Sequence, residues 1–119
     1  MPRMTPSALL ATLDAIEAEL KRLGWWTDTA PPMPEGDEFP AFGEGLMAFP
    51  QWLQWIFLPN ARAACADLDL PSGSQVGVKA VREFDGEPDA DRLIELLSEF
   101  DDQVALANRQ RRRRASGQT

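Results

Sequence analysis

The chain contains no histidine in its 119 residues. That absence removes the commonest general base, the commonest zinc ligand and every Ser-His or Cys-His nucleophile pair. Cysteine occurs once, at Cys65, so no disulfide can close within the chain and the fold does without the oxidised staples of small secreted domains. A reducing environment fits, and a cytoplasmic protein is expected. Long apolar runs are missing as well: Asp14, Glu17 and Glu19 interrupt the stretch where a signal peptide would be apolar, and no run approaches the roughly 20 residues that span a bilayer. Neither export nor membrane insertion is expected. There is no Walker loop, no GxGxxG and no GxSxG, so no cofactor is implied.

What is present is enough apolar material for one core and too little chain for two. The formal charge of −7 hides an asymmetry: residues 1–108 hold 7 basic and 19 acidic side chains, and 5 arginines follow between Arg109 and Arg114. The expected organisation is one helical domain over residues 1–108 and a basic, disordered tail over 109–119, whose composition cannot bury enough surface to offset ordering entropy.

Four helices are expected in an all-α, four-helix bundle, with a long Pro-rich loop between the first two. Thr5 before Pro6 reads as an N-cap with proline at the first helical position; Leu9, Leu13, Ile16, Leu20 and Leu23 repeat at spacings of four and three, and Gly24 supplies the stop. The stretch WWTDTAPPMPEGDEFPAFGEGL is too rich in Pro, Gly and Asp for regular structure, yet Trp25, Trp26, Phe39 and Phe42 should hold it against the body. A second helix is expected from Pro50 to about Leu68, kinked at Pro59. Its apolar residues cover roughly 200° of arc at about 100° per residue, leaving Gln51 and Gln54 on a polar strip. A short third helix bearing Val76, Val78, Val81 and Phe84 begins after Ser74, with Gly77 weakening it. A fourth, capped by Glu87 or Asp89, carries Leu93, Leu97, Phe100 and Val104 inward.

Each candidate for chemistry has a plainer counterpart. Trp52, Trp55 and Ile56 share a face that can stack a base or a partner helix, but with Leu53 and Phe57 alongside they read as core, together with Leu13, Ile16, Leu20, Leu93, Leu97 and Phe100. Adjacent Trp25 and Trp26 cannot both be buried by one surface, so they join Gln51 and Gln54 as candidate partner contacts. Arg109, Arg111, Arg112, Arg113 and Arg114 can displace counterions from phosphates and are the candidate nucleic-acid contact; the same charges also suit a solvated helix end. The acidic pairs Asp37/Glu38, Glu95/Glu99 and Asp101/Asp102 match no metal-ligand or carboxylate-pair pattern. Cys65 reads as a buried structural thiol.

The leucine-rich helix ending in Trp25, the proline-rich loop, then PQWLQWIFLP and LPSG resemble the YqcC-like family over most of residues 5–107, on Trp25, Pro50, Trp52, Leu53, Gln54, Trp55, Pro59, Leu70, Pro71 and Gly73. The resemblance implies a small bacterial helical bundle associated, through neighbouring genes and an inherited name, with tRNA pseudouridine synthase C. The Arg109–Arg114 run falls outside that pattern. Synthases of that class attack through an aspartate in an Arg-Leu-Asp sequence followed by Thr-Ser-Gly, on a large mixed domain that encloses an extruded base. Here ADLDLPSG puts Leu68 and Asp67 before Asp69, and Ser72-Gly73 comes one residue early. Synthase activity is therefore not expected. The expected role is a non-catalytic protein-interaction or adaptor module; the alternative is an RNA-associated accessory factor for tRNA pseudouridine modification. Expected partners are a further protein, RNA through the arginines, or a second copy of the chain, and no membrane.

Overall fold

A leucine repeat with period 3.6 must bury one stripe, and the computed structural model, which describes residues 5–31, 42, 47–67 and 75–116, shows where the stripe goes. Helix α1 (Pro6–Arg22) turns Leu9, Leu13, Ile16 and Leu20 fully inward. Its start is the one read above: the Thr5 hydroxyl accepts from the Ala8 N–H at 3.2 Å. Its end is a Schellman motif. Gly24 takes φ +75°, its N–H donates to Lys21 O, and the Trp25 N–H reaches back to Leu20 O.

The second helical rod runs unbroken as α2 (Phe49–Trp52), a π turn (Leu53–Phe57) and α3 (Leu58–Asp67). The π turn falls immediately before Pro59, the residue expected to kink the rod, and the helix does not end there. Proline lacks an N–H and its ring crowds the carbonyl four residues back. In the turn ahead of it the Leu58 N–H donates to Leu53 O, five residues back, and the wider loop accommodates Pro59 with the rod continuing. Across the turn the inward stripe is Phe49, Trp52, Leu53, Phe57, Leu58, Ala61 and Cys65. Trp55 and Ile56, expected in the core beside Trp52, are only half-buried, and Pro59 is exposed. So wide an apolar arc can face inward in more than one way, and packing selected the flank through Leu53.

Helix α4 (Val76–Glu83), a short 3₁₀ turn (Pro88–Ala90) and α5 (Asp91–Ser116) complete an all-α bundle, with α5 packed against both α1 and α4 and α3 lying on α1. Ser74 lies outside the described residues, and neither Gln75 nor Glu87 makes a side-chain cap hydrogen bond. The cap of α4 comes instead from α5: the Asp101 carboxylate accepts the N–H groups of Val76 at 3.2 Å and Gly77 at 2.8 Å. Gly77 lies against Ser98, where a Cβ would meet the Ser98 Cα at 2.7 Å, so glycine permits the close crossing of α4 and α5. Residues 109–116 continue α5 as helix, because the helix inherits its nucleus from the packed turns before it.

A line of rings ties these elements together. Trp25 stacks on Phe84, Phe84 meets Phe49, Phe49 stacks on Trp52, Trp52 on Phe57, and Phe57 meets Phe100 edge-on, with centroids 5.1 to 5.7 Å apart. Phe42 adds an edge contact to Trp52 at 5.1 Å. Among the described residues no helix is long and apolar enough to cross a membrane.

Candidate interaction surfaces

The π turn does more than accept a proline. It brings Gln54, expected on an exposed polar strip, into the interior with only 6% of its surface exposed. A buried amide needs partners, and Thr27 supplies them: its N–H donates to Gln54 Oε1 at 2.8 Å and its carbonyl accepts from Gln54 Nε2. The Thr27 hydroxyl in turn accepts the Trp55 indole N–H at 3.2 Å. Gln54 and Trp55 therefore pin the segment after α1 onto the second rod, and Gln54 is withdrawn as a partner contact. Gln51 is half-exposed, and its side-chain oxygen accepts the Ala48 N–H at 3.1 Å. Trp25 is half-buried against Phe84, and Trp26 is half-buried with the Lys21 ammonium 5.0 Å from its ring centre.

Leu13, Ile16, Leu20, Trp52, Leu93, Leu97 and Phe100 lie in the core. The Trp52 indole N–H is buried without a hydrogen-bond partner. Cys65 is fully buried, and burial pushes its thiol pKa up from an ordinary 9.0. Among the described residues no three acidic or cysteine side chains gather where they can hold a metal. Asp37 and Glu38 lie outside the described residues, Asp101 serves as the cap of α4, and Glu95, Glu99 and Asp102 are exposed. On α1, hydrogen bonding from Lys21, with Arg62 adding to it, holds the Glu17 carboxyl below its ordinary 4.5, although partial burial pulls the other way. Arg62 reaches across from α3 to Glu17 at 2.9 Å and Asp14 at 3.1 Å.

Among the described residues, two further surfaces face outward. The first was not anticipated. On α4, Val76, Ala80 and Phe84 point inward while Val78 and Val81 are each 55% exposed. Beside Val81 an open groove of about 410 Å³ runs between the end of α4 and the start of α5, lined by Val81, Phe84, Pro88 and Ile94 with Asp85, Glu87 and Asp91. Gly86, at φ +84°, turns the chain between the two helices there. The signal in the sequence was the spacing of Val78 and Val81 on the flank opposite Val76 and Ala80, followed by the acidic turn DGEPD. The second surface is the end of α5. Arg109, Arg111, Arg112 and Arg113 are exposed, and Arg109, Arg112 and Arg113 share one face at i, i+3 and i+4. Arg114 is helical in backbone.

The sequence profile of the DUF446 family, described as tRNA pseudouridine synthase C, matches residues 8–103, the greater part of the chain, from the first turn of α1 to the middle of α5 and short of the arginine-bearing end. No curated protein matches, and no solved structure matches.

Proposed function

Since the chain belongs to the DUF446 family, we propose that it serves that family as a non-catalytic protein-interaction module, and that within the family it is of the YqcC-like kind. The observation that carries the reading is the apolar flank of α4: Val78 and Val81 stand in solvent, while the other large aliphatic and aromatic side chains described are buried or partly covered. Exposed apolar residues beside a groove are how helical bundles receive partners. The test is V78E/V81E. Both sites are exposed, so the variant keeps its circular dichroism and melting temperature, and the immobilised protein ceases to retain the native protein that the wild type captures. Equal retention by both, or retention by neither, refutes the reading.

A second reading, an RNA-associated accessory to tRNA pseudouridine modification, is supported by the exposed Arg109/Arg112/Arg113 face. It requires tRNA binding whose salt dependence weakens by about one log unit of slope for each arginine neutralised. Binding that R109Q/R112Q/R113Q leaves unchanged, or no binding by the wild type, removes it.

A further inference from the structure

We propose that the acidic groove between α4 and α5 receives the arginine-bearing end of α5 from a second copy of the chain, so that copies associate head to tail. The inference rests on the reading of this side of the bundle as an interaction surface, and it names the occupant. Between residues 82 and 95 the chain carries six carboxylates and two arginines, whereas after Asp102 it carries five arginines and no acid. Asp85, Glu87 and Asp91 enter none of the ion pairs found among the described residues. They stand around Val81, Phe84, Pro88 and Ile94, an apolar bed of the kind on which arginine stems lie while their guanidinium heads reach carboxylates. Arg109, Arg112 and Arg113 present three such stems on one helical face.

The arginine-bearing end of α5 cannot fill the groove of its own molecule. Asp91 and Ile94 sit at the beginning of the helix that bears the arginines at its far end, about 27 Å along a rigid rod at 1.5 Å per residue. Groove and arginines are different patches, so the contact is heterologous and propagates or closes into a ring according to its rotation. The net charge of −7 opposes the approach of two copies at long range. Association is therefore expected where salt screens the bodies without screening the contact, near 0.1 M with a Debye length of about 10 Å, and is expected to be lost near 1 M, where that length is about 3 Å.

The test is sedimentation of the full-length chain against concentration. The wild type shows a rising average mass at about 0.1 M salt and an apparent association constant at least about tenfold lower at about 1 M. D85K/E87K and R109E/R112E/R113E are each monomeric alone, and their mixture associates, because the intact groove of the second then meets the intact helix end of the first and the reversed groove meets the reversed end. Recovery in the mixture also shows that both variants fold. A monomeric wild type at every concentration, self-association undiminished in either variant, or a mixture that stays monomeric overturns the proposal. A wild type that is monomeric yet binds tRNA through the same arginines overturns it in favour of a nucleic-acid contact. Partner capture lost in V78E/V81E with no self-association of the wild type sinks only this inference and leaves the proposed function standing.

Discussion

The fate of Gln54 shows how a single side chain changes its role when the backbone around it changes register. Glutamine on an apolar helix reads as solvent-facing, but here the π turn rotates it inward and two hydrogen bonds to the Thr27 main chain satisfy it. Replacing it leaves a buried N–H and carbonyl unpaired, which costs about 1–3 kcal/mol. We expect Q54A to lower the urea midpoint by that equivalent and Q51A, at a half-exposed site, to cost less than Q54A; equal costs would contradict the assignment. The two indoles of the same rod diverge in a similar way. Trp55 spends its N–H on Thr27, whereas Trp52 buries its N–H without a partner among stacked rings, so the packing of that ring line outweighs an unmade hydrogen bond. Cys65 is the plainest case. Buried and held protonated, it is expected to be inert to a thiol-specific reagent in the native protein and to react fully in denaturant. Fast native labelling would contradict its burial.

Among the elements, α4 depends most on its neighbours. It is short, its first N–H groups are capped by Asp101 of α5, and Gly77 lies where α5 passes closest. Alanine is favoured over glycine in a helix interior by about 1 kcal/mol, which taken alone predicts that G77A stabilises. The Cβ, however, would meet the Ser98 main chain at 2.7 and 2.9 Å, and overpacking of this kind costs about 1–3 kcal/mol. The expected outcome is a net loss of stability, readable by thermal or urea denaturation. S98G should not rescue it, because two of the clashing atoms belong to the backbone. The first helix contrasts with this. Thr5, Pro6, the leucine repeat and Gly24 lie within the segment itself, and for that reason α1 could be read almost residue by residue from the sequence. The site could not. Val78 and Val81 count as surface only once Val76 and Ala80 are known to face α5, and the groove beside them is assembled from two helices and a turn.

For the molecule as a whole, charge is the property with the longest reach. An acidic body ends in a basic helix, and within the body Arg62 ties α3 to Glu17 and Asp14 of α1. Glu17 titrates below its ordinary 4.5 in the folded protein, so between the two values the unfolded chain binds more protons than the folded one. Its contribution is therefore complete above pH 4.5 and is lost as pH falls through the lowered folded value. Partial exposure limits the pair to about 0.2–1 kcal/mol. The expected result is that E17Q is less stable than the wild type by that amount near neutrality and that the difference closes as the solution is acidified below 4.5. A gap that stays constant across that range would mean that Glu17 acts through packing and not through charge.

The sequence by itself determined the helical class, the bounds of α1, the burial of Trp52 and the charge asymmetry, because each rests on periodicity, capping or composition within a short stretch of chain. Only the tertiary structure decided which flank of the second rod is buried, how Pro59 is accommodated, what caps α4 and where the groove lies. For the buried flank and the cap of α4 the deciding atoms, the Thr27 main chain and Asp101, are more than twenty residues away along the chain; the π turn beside Pro59 and the groove lined by residues 81–94 are nearer in sequence but take shape only as the helices pack. A helix with an apolar arc wider than one neighbour can cover has several faces of similar hydrophobicity, and the choice among them falls to the distant partners that can satisfy its polar groups.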